Sequence, residues 1–329
     1  MKRNLGLIAG ALVVSAVSAQ AQNAASDPQC ASSLPAPAGP AQRNACNTAI
    51  DLFKYMAPQL GASIAGGNTT LGQGGSLGGP GHFAVTVRGN ALMGSLPQVD
   101  KYDPGSSTRT LDTKNQVLGL PTVDAAVGVF GGLPLGVTKV GGIDLLVNAS
   151  YIPEYSGGGV SVKVPSGSLK FGYGARIGLL QEGLLTPGIG FSYVKRDLPT
   201  LDLSAKTGTL GGQFDVSGLT VKTTSWRATA SKSLLAFGVA LGAGQDSYDS
   251  KAGIKVTTTL VPAGSSAKVS QSITRTNYFA DLSLNMMLAK LVAEIGTVQG
   301  GNIDTYNTFK GKAADASRLY GSVGLRIGF

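Results

Sequence analysis

The sequence predicts an all-β fold: an antiparallel transmembrane β-barrel of about 12 strands (range about 10–14) behind a short N-terminal helical segment. Three observations predict it. From His82 onward, bulky apolar residues alternate with small or polar ones at a period of two, in runs that reach spanning length. Charged residues are only 14% of the chain, against roughly 25% in soluble domains, and 48 of 329 residues are glycine. Beyond the N-terminus no apolar stretch is long enough for a spanning helix, so a membrane protein of this composition must cross with strands.

Residues 1–21 read as a secretory signal peptide, with basic Lys2 and Arg3, an apolar run from Leu5 to Val17 and the small-residue site Ala19-Gln20-Ala21. The run is about 13 residues, short of the ~20 a membrane helix needs. Cleavage after Ala21 removes two of the 27 basic residues and leaves the chain basic. For an exported protein that balance implies a basic surface or pore, and no nucleic-acid partner is expected. Ser26-Asp27-Pro28-Gln29 before Cys30 lacks the small apolar character of a lipid-anchoring site.

Residues 22–81 form the second region. Cys30 and Cys46 are the only cysteines and are expected to pair in an oxidising compartment. The loop they close is about 17 residues, worth roughly 3 kcal/mol; a redox site would more often show Cys-x-x-Cys. A helix is expected from Asn44 to about Ala57: Thr48 and Asp51 form a start signal, Ala49, Leu52, Phe53 and Met56 follow at helical spacing, and Pro58 marks the end. The stretch Gly66–Gly81 reads as a glycine-rich linker. No strand precedes it and no Gly-Lys-Ser/Thr follows, so it is not a phosphate cradle.

Residues 82–329 form the barrel. Phe83, Val85 and Val87 open the alternation. Val123–Val129, Ile143–Tyr151, Leu169–Leu179, Ile189–Tyr193, Leu235–Leu241 and Tyr278–Met286 continue it. Turn residues separate the runs, as at Gln181-Glu182-Gly183, Asp246-Ser247-Tyr248-Asp249 and Pro262-Ala263-Gly264. A further strand is sought in Leu201–Leu219 or Gly301–Lys310, where the pattern is weak. The apolar phase changes between Trp226 and Leu235, which implies a bulge or a turn. A soluble sandwich also alternates, but its strands average nearer 5–6 residues.

Taking the less apolar face as the lumen gives a list of lining charges: Arg88, Asp124, Asp144, Lys170, Arg176, Arg196, Lys255, Asp281, Lys290, Glu294, Arg318 and Arg326. Basic members outnumber acidic ones, which suits a pore favouring anions or a set of internal salt bridges bracing a narrow barrel. Gly172, Gly174, Gly178, Gly188, Gly190, Gly238, Gly242 and Gly244 leave a smooth trough on this face. The helix near 48–57, carrying Leu52, Phe53 and Met56, is expected to pack there as a plug. Tyr151, Tyr155, Tyr193, Trp226, Tyr278 and Tyr320 are the candidates for interfacial aromatic girdles. The single histidine, His82, starts the first strand. With one histidine, two paired cysteines and no paired carboxylate motif, no metal, no cofactor and no enzymatic activity are expected.

The chain closes on "RLYGSVGLRIGF", with Tyr320, Leu325, Ile327 and Phe329 in alternation. This tail resembles the assembly signal of bacterial outer-membrane β-barrel proteins. The resemblance implies an outer-membrane location, surrounding lipid and the barrel assembly machinery as partners, and a last strand that closes on the first. An N-terminal segment ahead of a barrel also resembles, in architecture alone, the hatch of FadL-type transporters of hydrophobic substrates. That likeness implies a channel or transporter for small solutes, hydrophobic or anionic. The alternative is a structural barrel that transports nothing; an outer-membrane lipid hydrolase is a third reading.

Overall fold

The computed structural model describes residues 26–31, 39–101, 109–157, 160–206, 212–259 and 261–328. The signal-peptide reading and Phe329 lie outside them. Among the described residues, ten strands close into an antiparallel barrel. They are β1 (Phe83–Pro97), β2 (Thr113–Phe130), β3 (Gly142–Tyr151), β4 (Leu169–Leu180), β5 (Gly188–Asp197), β6 (Gln213–Leu234), β7 (Phe237–Thr258), β8 (Val261–Met286), β9 (Ala289–Gln299) and β10 (Arg318–Gly328). Each pairs with the next, and β10 returns to β1 with Ile327 opposite Val85 and Tyr320 opposite Leu92. The seam leaves no open edge in the ring, as hydrocarbon requires.

The weak stretch 201–219 supplies the strand Leu201–Lys206 and the start of β6. With Val160–Lys163 and Tyr155–Gly157, Leu201–Lys206 extends the sheet sideways beyond the ring. Gly301–Lys310 contributes only Thr308–Phe309, which pairs in parallel with Thr110–Leu111. The phase change after Trp226 is a tight turn: β6 and β7 meet at Leu235-Ala236, with Leu235 at φ 52°. The expected turn at Asp246–Asp249 does not form. β7 runs straight through it, because Asp246 and Tyr248 point inward and are held there.

Polarity is inverted relative to a soluble fold. Val85, Val127, Leu145, Ile177, Leu241, Leu282, Ile295, Val323 and Leu325 are exposed on the outside, whereas Arg88, Asp124, Asp144, Arg176, Asp281 and Glu294 are buried inside. A continuous apolar exterior of this extent needs lipid, not water. No described helix is long and apolar enough to cross a membrane. Tyr151, Tyr193, Trp226 and Tyr278 face outward, with Tyr193 opposite Trp226. Tyr320 does not join them: it sits at an inward position of β10, 3% exposed.

The two ends differ. At one, Leu235-Ala236 and Met287-Leu288 make two-residue turns, and β1 begins and β10 ends. At the other lie the described residues of 98–112, 152–168 and 300–317 and the protruding hairpin of β7 and β8. Barrels of this type put short turns on the periplasmic side and long loops outside.

A 26-residue helix, Pro40–Ala65, stands inside the barrel. It is longer than Asn44–Ala57 because Pro58 does not end it. Proline removes the amide that would bond Lys54 O; here the Gln271 side-chain amide donates to that carbonyl at 3.5 Å. A strand side chain thus replaces the lost bond, as happens where a helix is surrounded by protein. The N-terminal half of the helix occupies the outer, long-loop half of the barrel. There Cys46, Ala49, Ile50 and Phe53 pack against Phe214, Val221, Ile254, Val256 and Val269. Cys30 and Cys46 are bonded, with Cα atoms 5.8 Å apart, in the same cluster.

Candidate functional site: the filled lumen

The helix reaches the middle of the barrel, where Ala62 and Ala65 meet Leu92, Tyr248, Phe279 and Tyr320. Close approach is built into this contact: a Cβ on Gly61 would lie 2.7 Å from the Tyr248 ring. From Gly66 the chain runs to His82 without forming a strand, and most of it is buried. An extended backbone without a ladder must satisfy its amides and carbonyls some other way. The lumen charges do this.

Carboxylates take the amides. Asn68 N donates to Glu294 Oε2 at 2.8 Å, Gly72 N to Asp281 Oδ2 at 2.9 Å, and Leu77 N to both Asp144 oxygens at 3.1 and 3.2 Å. Gly74 N donates to Ser231 Oγ at 2.8 Å. Arginines take the carbonyls. Arg88 donates to Asn68 O at 3.1 Å and Arg326 to Leu71 O at 3.5 Å. Arg196 donates to Ile64 O and Ala65 O at 3.3 and 3.2 Å, and Arg227 to Ala65 O at 2.7 Å. These last carbonyls are the unpaired, partly negative end of the helix, so two guanidiniums there cap it and complement its dipole.

The arginines are also paired with acids on the barrel wall. Arg88 and Arg196 share Asp124 at 2.8 and 3.5 Å. Arg176 meets Asp144 at 2.7 Å, and Arg227 meets Asp246 at 2.8 Å. All are buried. Such pairs tolerate their desolvation only when further hydrogen bonds satisfy them. The plug backbone supplies those bonds, so wall and plug each complete the other.

Of the residues named from sequence, Arg88, Asp124, Asp144, Arg176, Arg196, Asp281, Glu294, Arg318 and Arg326 are buried inside, and Lys170 and Lys290 are half-buried there. Lys255 is not: it is exposed on the outer face of β7 while Ile254 and Val256 point in. The less apolar face is the lumen only where lipid touches the outside. Beyond the membrane water bathes the exterior, the inner face packs on the plug, and the rule reverses. Arg227, Asp246 and Arg275 were missed although parity marks them, since Trp226, Leu241 and Tyr278 face outward on the same strands. Leu52 and Phe53 pack with the outer cluster and Met56 beside Tyr55 and Ile303.

Of the trough glycines only Gly178, Gly188 and Gly190 face the plug, and their occupant is not the helix; Gly172, Gly174, Gly238, Gly242 and Gly244 meet atoms of the barrel wall. A Cβ on Gly178 would lie 2.7 Å from Ser76 N, and one on Gly188 would lie 2.9 Å from Gly75 N. The strand glycines admit Gly74–Ser76 backbone to backbone, closer than a helix of ~10 Å diameter can come. Gly66–Gly81 is therefore a packed part of the plug and not a free tether.

At the outer end, loop residues cover the helix. Asp51 accepts from Tyr306 N at 3.1 Å and from Asn307 N and Nδ2 at 2.6 and 2.7 Å. Burial lifts the Asp51 carboxyl to about 6 despite these bonds. Lys54 pairs with Asp27 at 2.5 Å, which ties the first described residues to the helix. His82 is exposed at the start of β1, its Nδ1 3.3 Å from Gly79 O.

No family model matches the chain, and no curated protein resembles it in sequence. Solved structures give similarities of shape. The attachment invasion locus protein Ail of Yersinia pestis is 10% identical, covers 76% of this chain and 99% of its own, and has a TM-score of 0.30. The translocator domain of the autotransporter NalP from Neisseria meningitidis is 11% identical over 75% of this chain and 87% of its own, TM-score 0.35. The Pseudomonas putida toluene transporter TodX is 12% identical over 84% of this chain and 96% of its own, TM-score 0.30. The barrel assignment itself stands on the closed ring and the inverted polarity.

Proposed function

We propose that this chain is an outer-membrane barrel closed to solutes, its lumen given over to its own N-terminal segment, which runs through the barrel with the start of its long helix toward the outer face. One observation supports the reading most: Arg88, Asp144, Arg176, Arg196, Arg227, Asp281, Glu294 and Arg326, charges that would line a pore, are hydrogen-bonded to the backbone of residues 64–77. Passage of anions or small hydrophobic solutes requires that segment to leave, which breaks these charge-assisted bonds together with the apolar packing of the helix. The partners on this reading are lipid around the apolar belt and the barrel assembly machinery, which takes the last strand before it meets β1. No catalytic role is assigned.

Conductance in planar bilayers tests the proposal. The intact mature chain is expected to stay silent, and a variant lacking residues 26–81 to conduct. Steady conductance by the intact chain would refute closure and favour the transport reading.

A further inference from the structure

At the short-turn end, bordered on one side by Gln73 and Leu77 of the plug, a cleft of about 630 Å³ opens between β1, β8, β9, β10 and the turn 181–187. On its wall Lys290 of β9 stands directly opposite Arg326 of β10 in the sheet register. Like charges in that position repel. Among the described residues, neither side chain has a carboxylate within 4.0 Å, unlike the paired Arg88, Arg176, Arg196 and Arg227. Arg326 spends its donors on Leu71 O and the Gln73 side chain. Lys290 packs its stem over Gly72 and makes no hydrogen bond with any described residue. The cleft also holds one acid, Glu182, which accepts from Ser233 N at 2.6 Å and Ser231 Oγ at 3.0 Å and forms no ion pair with either cation, so two cations face one carboxyl there. The rim is apolar and exposed, with Leu288 at 58% and Met287 at 100%.

We propose that this cleft binds a phosphate group, held between Lys290 and Arg326, with the apolar rim seating the chain of the amphiphile that carries it. The ammonium is free to donate, the facing guanidinium adds a second charge, and a phosphate oxygen placed between them relieves their repulsion. Lys290 and Arg326 face the lumen mouth just inside the Met287-Leu288 turn, so a lipid headgroup reaches them by folding over this apolar rim while its chains stay on the outer face. Free phosphate offers the same oxygens without the tail.

Native mass spectrometry on the intact mature chain, in micelles doped with phosphatidylglycerol, tests the site, with titration of inorganic phosphate as a second arm. Wild type is expected to retain one lipid. Lys290→Gln is expected to lower retention at least about tenfold, the loss of one charge-assisted contact, and Lys290→Arg to keep it. Heat-modifiable migration on gels, unchanged in both variants, excludes misfolding as the cause. Binding of inorganic phosphate with the same dependence on Lys290 supports the site and assigns it to the free ion. Retention of neither probe, or retention indifferent to Lys290→Gln, overturns the proposal.

Discussion

Asp144→Ala is the sharpest perturbation of the wall-and-plug contact. Asp144 is 0% exposed, bonds Arg176 at 2.7 Å and accepts from Leu77 N. Its removal leaves a buried guanidinium without its acid, worth about 3–5 kcal/mol, and a plug amide without an acceptor, worth about 1–3 kcal/mol. The effects overlap, so a loss of about 4 kcal/mol is expected. Asp144→Ala with Arg176→Ala removes both charges and is expected to cost less than Asp144→Ala alone. Urea unfolding in lipid vesicles, followed through Trp226, the only tryptophan, measures both. A loss under about 0.5 kcal/mol for the single variant, the range of an inert surface change, would refute the reasoning. So would a double variant weaker than the single one.

Further predictions concern the plug. An epitope inserted before Ser26 is expected to bind antibody on intact cells, since the start of the helix sits at the long-loop end; a signal only after permeabilisation would reverse the threading. Cys30→Ser is expected to cost roughly 3 kcal/mol through the loop it reopens, measurable as a lower urea midpoint. Asp51 is held near 6 against an ordinary 3.8, so the folded state binds its proton more tightly. Its contribution to stability is full below 3.8 and lost as pH rises through 6, with a ceiling of about 3 kcal/mol. Protection of the Asn307 amide, measured as exchange relative to its intrinsic base-catalysed rate, is therefore expected to be greater at pH 5 than at pH 7, and Asp51→Asn to remove that difference.

The spanning strands were legible because lipid outside and a polar lumen inside impose a strict period of two, as in Leu169–Leu179. The lumen charges were legible for the same reason. What the alternation could not convey is the change of solvent beyond the membrane, which put Lys255 on the wrong face and hid the inward Asp246 in a false turn. The plug was harder. Gly66–Gly81 has linker composition, and only the opposing Gly178, Gly188 and Gly190 reveal that its small residues permit close packing and not freedom. Pro58 misled because the bond that replaces its missing amide comes from Gln271, more than two hundred residues away in sequence.

Cross-linking within the lumen tests the central claim most directly. A Cβ at Gly324 would lie 2.7 Å from Leu71 Cδ1, so Leu71→Cys with Gly324→Cys is expected to form a disulfide on mild oxidation of intact membranes. Absence of that bond, in barrels that otherwise fold and in which Cys30–Cys46 is formed, would contradict a lumen filled by the chain's own N-terminal segment.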